Sequence, residues 1–390
     1  MTIISQRALD RRIKRQLKNQ ELEFFAASAP GFEAELSNEL SDITGIKNIK
    51  AEMGGATFSS SLDAIYHSNL NLRTAHRVLL RIANFLSQNH PMLYEHTRKQ
   101  PWEVYLGHNK YYALKISTKR SRLLHSSKIA ETVSAAISRR LQENGLNAVA
   151  KDKAQIEIHV RLFKDRAQLS INTSGQHLHK RGYRQFGGRA SIRETLAAGI
   201  LLRSKLGRYK HLLDPMCGSG TFLIEAALIA TNSPVGLFRE FAFEQMPFFQ
   251  ESKWLRFKKE AFDKITPLAL ELTGGDIDAE AVEWARANTI SAGFEKDIRL
   301  SLKDARNYME NKDNQLIVSN LPYGKQSLKP AQIEKLSKAF ANNLKKNYKN
   351  SHFSLVTTQS QIFANAGLSF DEQKFTNGGI KVTLIQGVVD

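Results

Sequence analysis

A glycine-rich turn and three carboxylates stand out in the second half of the chain. His211-Leu-Leu-Asp214-Pro215-Met216-Cys217-Gly218-Ser219-Gly220-Thr221 reads as a short strand, a tight turn and a helix start. Such a turn lets backbone approach a ligand closely, and the helix start presents free N–H groups. A dinucleotide fingerprint needs a third glycine where Leu223 stands, and a P-loop needs a Gly-Lys-Ser/Thr that is absent. Asp214 at the strand end also argues against a pyrophosphate and for a ligand with an amino or other cationic group. S-adenosylmethionine (SAM), with its amino acid moiety and sulfonium, fits. On its own, the turn is equally read as a plain connection between strand and helix.

The next strand ends in Gly274-Gly-Asp276-Ile277-Asp278, where a carboxylate can accept both ribose hydroxyls of an adenosine. Asp304-Ala305 follows a third strand, and Asp304 can accept the adenine amino group. Each Asp taken singly reads as a helix N-cap. Three at the ends of successive parallel strands converge on the crevice where doubly wound sheets bind ligands.

A fourth strand, 315–319, runs into Asn320-Leu321-Pro322-Tyr323-Gly324. This loop suits methylation of an exocyclic amine on a planar base. The Asn320 side-chain oxygen, also next to the cofactor, and the Leu321 carbonyl can accept the two N–H bonds of the amine, drawing its lone pair out of ring conjugation. Tyr323 can stack on the base. The electrophile is a sulfonium, so no strong base is needed before attack; the work is positioning and electrostatics.

These residues need a frame, and the chain supplies one in two styles. From Ile192 onward, helices and strands alternate: helix 192–204, strand 211–214, helix 221–231, strand 269–275, helix 279–292, strands 298–302 and 315–319, helix 330–345, strand 352–358 and two closing strands within 367–389. Repeated βα units predict a mainly parallel, doubly wound sheet with helices on both faces. The first half is different. Strand 22–28, helix 32–43, a strand pair around Gly54-Gly55, helix 62–70, strand 111–117, helix 127–143 and strands 155–163 and 167–172 form an α+β mixture without a βα rhythm. Residues 172–190, rich in Gly, Arg, His and Gln, read as a linker.

Charge is as uneven as the rhythm. The 390 residues carry a formal charge of +18, with 30 Lys+Arg against 16 Asp+Glu up to residue 190 and 26 against 22 after it. A basic half joined to a nearly neutral half fits a polyanion on one side and chemistry on the other, and nucleic acid is the favoured partner. The basic clusters are Arg11, Arg12, Lys14, Arg15 and Lys18; Lys119, Arg120 and Arg122; and Lys180, Arg181, Arg184 and Arg189. From these, Arg12, Arg15, Lys18, Lys119, Arg120, Arg122, Lys180, Arg181 and Arg184 are candidate phosphate contacts. A membrane-surface helix at 5–20 would have only Ala8, Leu9, Ile13 and Leu17 as its apolar face. A single cysteine, Cys217, excludes a disulfide framework and Cys-based metal cages, and no metal is expected. No signal-like or membrane-spanning run is found, so a cytoplasmic protein is expected.

DPMCGSGT, GGDID with the following AEAVEWARANTISAGF, and NLPYG together resemble the class I SAM-dependent methyltransferases that modify guanine N2 in RNA. Residues 24–36 (FFAASAPGFEAEL), His179-Lys-Arg181-Gly-Tyr-Arg184, Glu194-Thr-Leu-Ala-Ala and 234–244 (PVGLFREFAFE) are similar to the bacterial ribosomal RNA branch that carries a THUMP domain. The resemblance implies a Rossmann-like class I methyltransferase domain on a mainly parallel seven-stranded sheet, preceded by an α+β ferredoxin-like and THUMP region that binds structured RNA. It implies the map 1–20 basic helix, 21–70 ferredoxin-like lead-in, 71–172 THUMP, 173–190 linker and 191–390 methyltransferase. It further implies SAM held by Asp214, Pro215, Met216, Gly218, Gly220, Thr221, Asp276, Ile277, Asp304, Ala305 and Asn320, and the target base held by Asn320, Leu321, Pro322 and Tyr323. Leu321 stands where the family commonly has a first proline.

The favoured reading is guanine-N2 methylation of large-subunit ribosomal RNA. Transfer RNA, a DNA adenine-N6 methyltransferase using the same loop chemistry, and a non-catalytic RNA-binding factor remain as alternatives; a monomer is compatible with all of them.

Overall fold

The computed structural model of the chain describes residues 3–188, 191–323 and 329–390. Arg189 and Gly324, singled out above, lie outside the described residues. The chain divides into two units, one of residues 1–28, 37–178 and 239–259, the other of 29–36, 179–238 and 260–390.

The first unit opens with α1 (Gln6–Ile13), capped by the Ser5 hydroxyl, which accepts from Ala8 N at 3.3 Å, and prolonged by a π-type turn, Lys14–Lys18. Ile13 and Leu17 are buried; Arg15 and Lys18 are exposed. Then come β1 (Leu22–Ala27), α2 (Glu33–Ser41, of which residues 33–36 belong to the second unit), β2 (Lys47–Glu52), β3 (Gly55–Ser60), α3 (Ala64–Asn71), β4 (Arg77–Leu86), α4 (His90–Arg98), β5 (Lys110–Lys119), α5 (Ser126–Glu143), β6 (Ala148–Ala150), β7 (Ile156–Phe163) and β8 (Arg166–Asn172). All eight strands join one sheet in the order β2-β3-β1-β4-β8-β7-β5-β6. In β7 alternate residues are buried, the period-2 pattern of a strand with one covered face. In α5, Ile129, Val133, Ile137 and Leu141 recur at helical spacing and are buried.

Residues 239–259 belong to this same unit. Phe241 and Phe243 stack at 5.2 Å between ring centroids, and Trp254 and Phe257 lie 5.8 and 5.3 Å from the Tyr66 ring of α3. Lys253 Nζ pairs with Asp63 at 2.8 Å.

The second unit is built from α6 (Glu194–Arg203), β9 (His211–Asp214), α7 (Thr221–Ala230), then, after α8 (Glu251–Phe262), most of which lies in the first unit, β10 (Glu271–Asp276), α9 (Ala279–Ala292), β11 (Ile298–Leu302), β12 (Gln315–Asn320), α10 (Pro330–Asn347), β13 (His352–Thr357), α11 (Ser360–Asn365), β14 (Phe370–Asn377) and β15 (Ile380–Val388). The strand order is β11-β10-β9-β12-β13-β15-β14. The first five of these are parallel; β15 is antiparallel to both β13 and β14. In β12, Gln315–Ser319 are buried without alternation, as a strand covered on both faces requires. The chain steps outward from β9 through β10 to β11, then returns to the other side of β9 at β12. That reversal opens a crevice at the C-terminal strand ends.

The stretch expected as a linker is divided between the units, residues 173–178 in the first and those from 179 onward in the second, and part of it is packed rather than free. Arg181 is 4% exposed and Tyr183 is buried. Among the described residues no helix is long and apolar enough to cross a membrane.

Candidate active site

Four polar side chains sit at or just beyond the ends of adjacent strands: Asp276 on β10, Asp214 on β9, Asn320 on β12, and Asp304 after β11. All four border one cavity of about 730 Å³, within the range of small-molecule and cofactor sites. The turn after β9 carries Gly218 at φ +52° and Gly220 at φ +80°, backbone that L side chains rarely adopt. A Cβ on Gly220 would also stand 3.3 Å from the Ala285 Cβ of α9.

Asp214 is buried. It accepts from Ser319 Oγ at 2.7 Å and Met216 N at 3.3 Å. Burial pushes its carboxyl up to about 7, and the neighbouring Asp276 adds to the rise. Such a group is completed by a cationic ligand atom, which supplies the charge that burial denies it. Asp276 is also raised by burial; its oxygens accept from Gly218 N at 2.9 Å and Asp278 N at 3.0 Å, which fixes the carboxylate against the turn. Asp278 caps α9, accepting from Glu280 N at 2.9 Å. The three carboxylates and the backbone turn fit SAM, whose ammonium, ribose hydroxyls and adenine amine all donate to acceptors of this kind.

Asp304 adds a feature that sequence does not show. The Arg306 guanidinium grips it, with Nε 2.9 and 2.8 Å from its two oxygens, and holds its carboxyl below the usual range. The Asp304 carboxylate is thus already engaged by a resident cation.

Met216, Gly218, Thr221, Ile277, Ala305, Leu321 and Pro322 also line the cavity, whereas Pro215 and Gly220 are buried in the turn that shapes it. Ile277 is 64% exposed at the rim. Leu321 N donates to Val356 O at 3.0 Å, which ties the reacting loop to β13. Tyr323 departs from expectation. Its ring is buried in the core, its hydroxyl accepts from Asn377 Nδ2 at 2.6 Å, and it is not part of the cavity wall; buried in this way the ring is not available to stack on a base.

Sequence reasoning missed Gln332, Lys335 and Leu336 of α10, which line the cavity beside the reacting loop. Their i, i+3, i+4 spacing was the available signal. Trp284 of α9 was missed as well.

The candidate phosphate contacts divide. Arg15, Lys18, Lys119, Arg120, Arg122 and Lys180 are exposed. Arg122 also stands 3.6 Å from Asp165. Arg12 is engaged with Glu103, whose side chain is fully buried and also receives Arg140 at 2.7 Å. Arg181 and Arg184 are structural. Arg181 meets Glu225 at 3.3 Å, and the Tyr183 hydroxyl donates to the same carboxylate at 3.1 Å. Arg184 pairs with Glu194 at 2.8 Å and donates to Thr221 Oγ1 at 2.8 Å, beneath the glycine turn. Among the described residues no cluster of three or more His, Cys, Asp or Glu is placed to hold a metal.

Comparison with known proteins matches residues 181–385 to the model described as RMKL-like, methyltransferase domain. The chain belongs to that family. Residues 23–79 match the RlmL ferredoxin-like domain and residues 87–172 the THUMP domain. The "Ribosomal RNA large subunit methyltransferase K/L" of Vibrio cholerae is 33% identical over 368 residues, 92% of this chain and 52% of its own length. The chain thus spans about half the length of the curated relatives it matches. Among solved structures, SMU.472, provisionally described as a methyltransferase and complexed with SAH, aligns at TM-score 0.86 and 30% identity over 95% of this chain and 99% of its own. A Listeria monocytogenes protein, assigned by prediction as an N6-adenine-specific DNA methylase, aligns at TM-score 0.83 and 28% identity over 95% and 97%.

Proposed function

We propose that the chain is a SAM-dependent RNA methyltransferase acting on the exocyclic N2 of a guanine, with large-subunit ribosomal RNA as its substrate. The observation that carries the reading is the placement of Asn320 and Leu321 on the wall of the cavity whose other walls hold Asp214, Asp276 and Asp304. The name of the Vibrio relative and the THUMP match support an RNA substrate, and the SAH of SMU.472 supports the cofactor. A cytoplasmic setting fits such a substrate.

When bound, SAM supplies a methyl group on a sulfonium, an electrophile that attracts the amine lone pair directly. The protein's own groups do the rest. Asn320 Oδ1 and the Leu321 carbonyl accept the amine N–H bonds, localise the lone pair on nitrogen, and orient it. Leu321 N, bonded to Val356 O, anchors the Asn320–Leu321 peptide to β13, one peptide unit ahead of the carbonyl that would accept from the amine. The methylated nitrogen then sheds its proton to solvent. An N2 amine in a duplex is paired, so the target guanine is unpaired or extruded, at an unstacking cost of a few kcal/mol.

Tritiated SAM supplied with ribosomal RNA, transfer RNA or genomic DNA tests the assignment. Label in N2-methylguanine of large-subunit RNA, located by mass spectrometry, is the expected result. Label confined to DNA adenine overturns it in favour of the activity assigned to the Listeria neighbour, since the same loop serves any exocyclic amine. Transfer RNA labelling would keep the chemistry and change the substrate.

A further inference from the structure

The cavity wall is rich in acid: Asp214, Asp276, Asp278 and Asp304 all line it, and α10 adds Gln332 and Lys335 to the same wall. Among the described residues lining it, two are cations. Arg306 is committed to Asp304. Lys335 is exposed and has no carboxylate partner among the described residues, whereas its helix neighbour Lys338 pairs with Glu334 at 2.6 Å. Gln332 accepts from Lys329 N at 3.0 Å through Oε1, which leaves its amide NH2 as the outward group. α10 therefore offers hydrogen-bond donors and a positive charge to the cavity that Asn320 also lines, and Lys335 has no carboxylate partner among the described residues.

The sulfonium and ammonium of SAM gain nothing from those groups; an anionic group does, either the cofactor's own carboxylate or a phosphate of the substrate. A nucleotide entering the cavity base-first brings its phosphate with it, and a guanine held at Asn320 places that phosphate near the same mouth. We propose that Lys335, with Gln332 beside it, pairs with the phosphate of the target nucleotide and so positions the base at Asn320. The proposal rests on the RNA methyltransferase reading and adds a substrate-positioning residue to it. Lys335 touches backbone phosphate, so it contributes affinity and register without reading sequence.

The test uses the full 390-residue chain with the RNA it methylates. Lys335→Gln is expected to raise KM for RNA about three- to ten-fold, with kcat and SAM affinity (by titration calorimetry) within two-fold of the unaltered chain. Equilibrium RNA binding should lose about 0.7 to 0.9 from the slope of log affinity against log salt, the loss of one phosphate contact. Lys335→Arg keeps the charge and should restore the slope, and Lys338→Gln should leave it unchanged. An unchanged slope and KM in Lys335→Gln overturn the proposal. So does a weakened SAM affinity, which would move Lys335 to the cofactor, or a relaxed choice of base at constant slope, which would make it a reader of the base edge. Absence of any transfer to RNA by the unaltered chain is a separate result that defeats the functional reading first.

Discussion

Ser319 Oγ donates to Asp214 Oδ1 at 2.7 Å, joining two neighbouring parallel strands at the point where one delivers the cofactor acid and the other delivers Asn320. The bond opposes the burial that raises the Asp214 carboxyl. Ser319→Ala removes it, so the carboxyl should rise further above 7. Cofactor affinity at pH 7 should fall by about three- to ten-fold, because less of the carboxyl is then ionised, and recover partly at pH 8.5; calorimetric titration of SAH across pH reads both.

Asp214 itself makes cofactor binding pH-dependent. With the carboxyl at about 7, the unliganded site is mostly protonated at pH 6 and mostly ionised at pH 8. A cationic ammonium prefers the ionised form, so affinity should rise through that window and level off above it. The folding sign is opposite. The folded protein holds this proton more tightly than the unfolded chain, so Asp214 lowers stability progressively as pH climbs from about 4 to about 7, by on the order of 4 kcal/mol over three pH units. Asp214→Asn should therefore melt at a higher temperature relative to the parent at pH 8 than at pH 5, while losing cofactor affinity at both.

Asn320→Ala is expected to lower kcat at least 100-fold, by analogy with the loss of one oriented transition-state partner, while SAM affinity changes less than three-fold. Full methylation by this variant would remove Asn320 from the chemistry.

Glu225 and Arg181 are an ion pair buried on both sides. Glu225→Gln strands the guanidinium in the core, and a loss of about 3–5 kcal/mol is expected in urea unfolding. The same argument separates the arginines of the N-terminal helix. Reversing Arg15 and Lys18 should weaken RNA binding most at low salt with no change in melting temperature; reversing Arg12 should also cost stability, because Glu103 is buried and would lose one of its two arginines.

Much of the second unit can be read directly from sequence, because β9, β10 and β12 are short runs closed by Asp214, Asp276 and Asn320, and those closing residues line the cavity. β12 shows this: Leu316-Ile-Val are buried and Asn320 ends the strand at the cavity. β4 resists the same reading. Its Arg77–Leu86 run follows neither a two-residue nor a helical period, and Arg81 sits inside it, stacked 4.7 Å over the Phe25 ring. Partners far along the chain are the other blind spot. Arg181 reads as a phosphate contact until Glu225 is folded against it, and Tyr323 reads as a stacking ring until Asn377 claims its hydroxyl. Charge counts carry no information on which cations are already matched.

The excursion of residues 239–259 has a consequence for how such a chain can be rearranged. Trp254 and Phe257 complete the aromatic cluster around Tyr66, although nearly two hundred residues separate them in the polypeptide. A gene cut after residue 178 would leave the upstream fragment with an open hydrophobic wound and the downstream fragment with an orphan aromatic helix. Separating the two units by a single cut is thereby closed to this architecture, and translation must run past residue 259 before the earlier part can finish its own core.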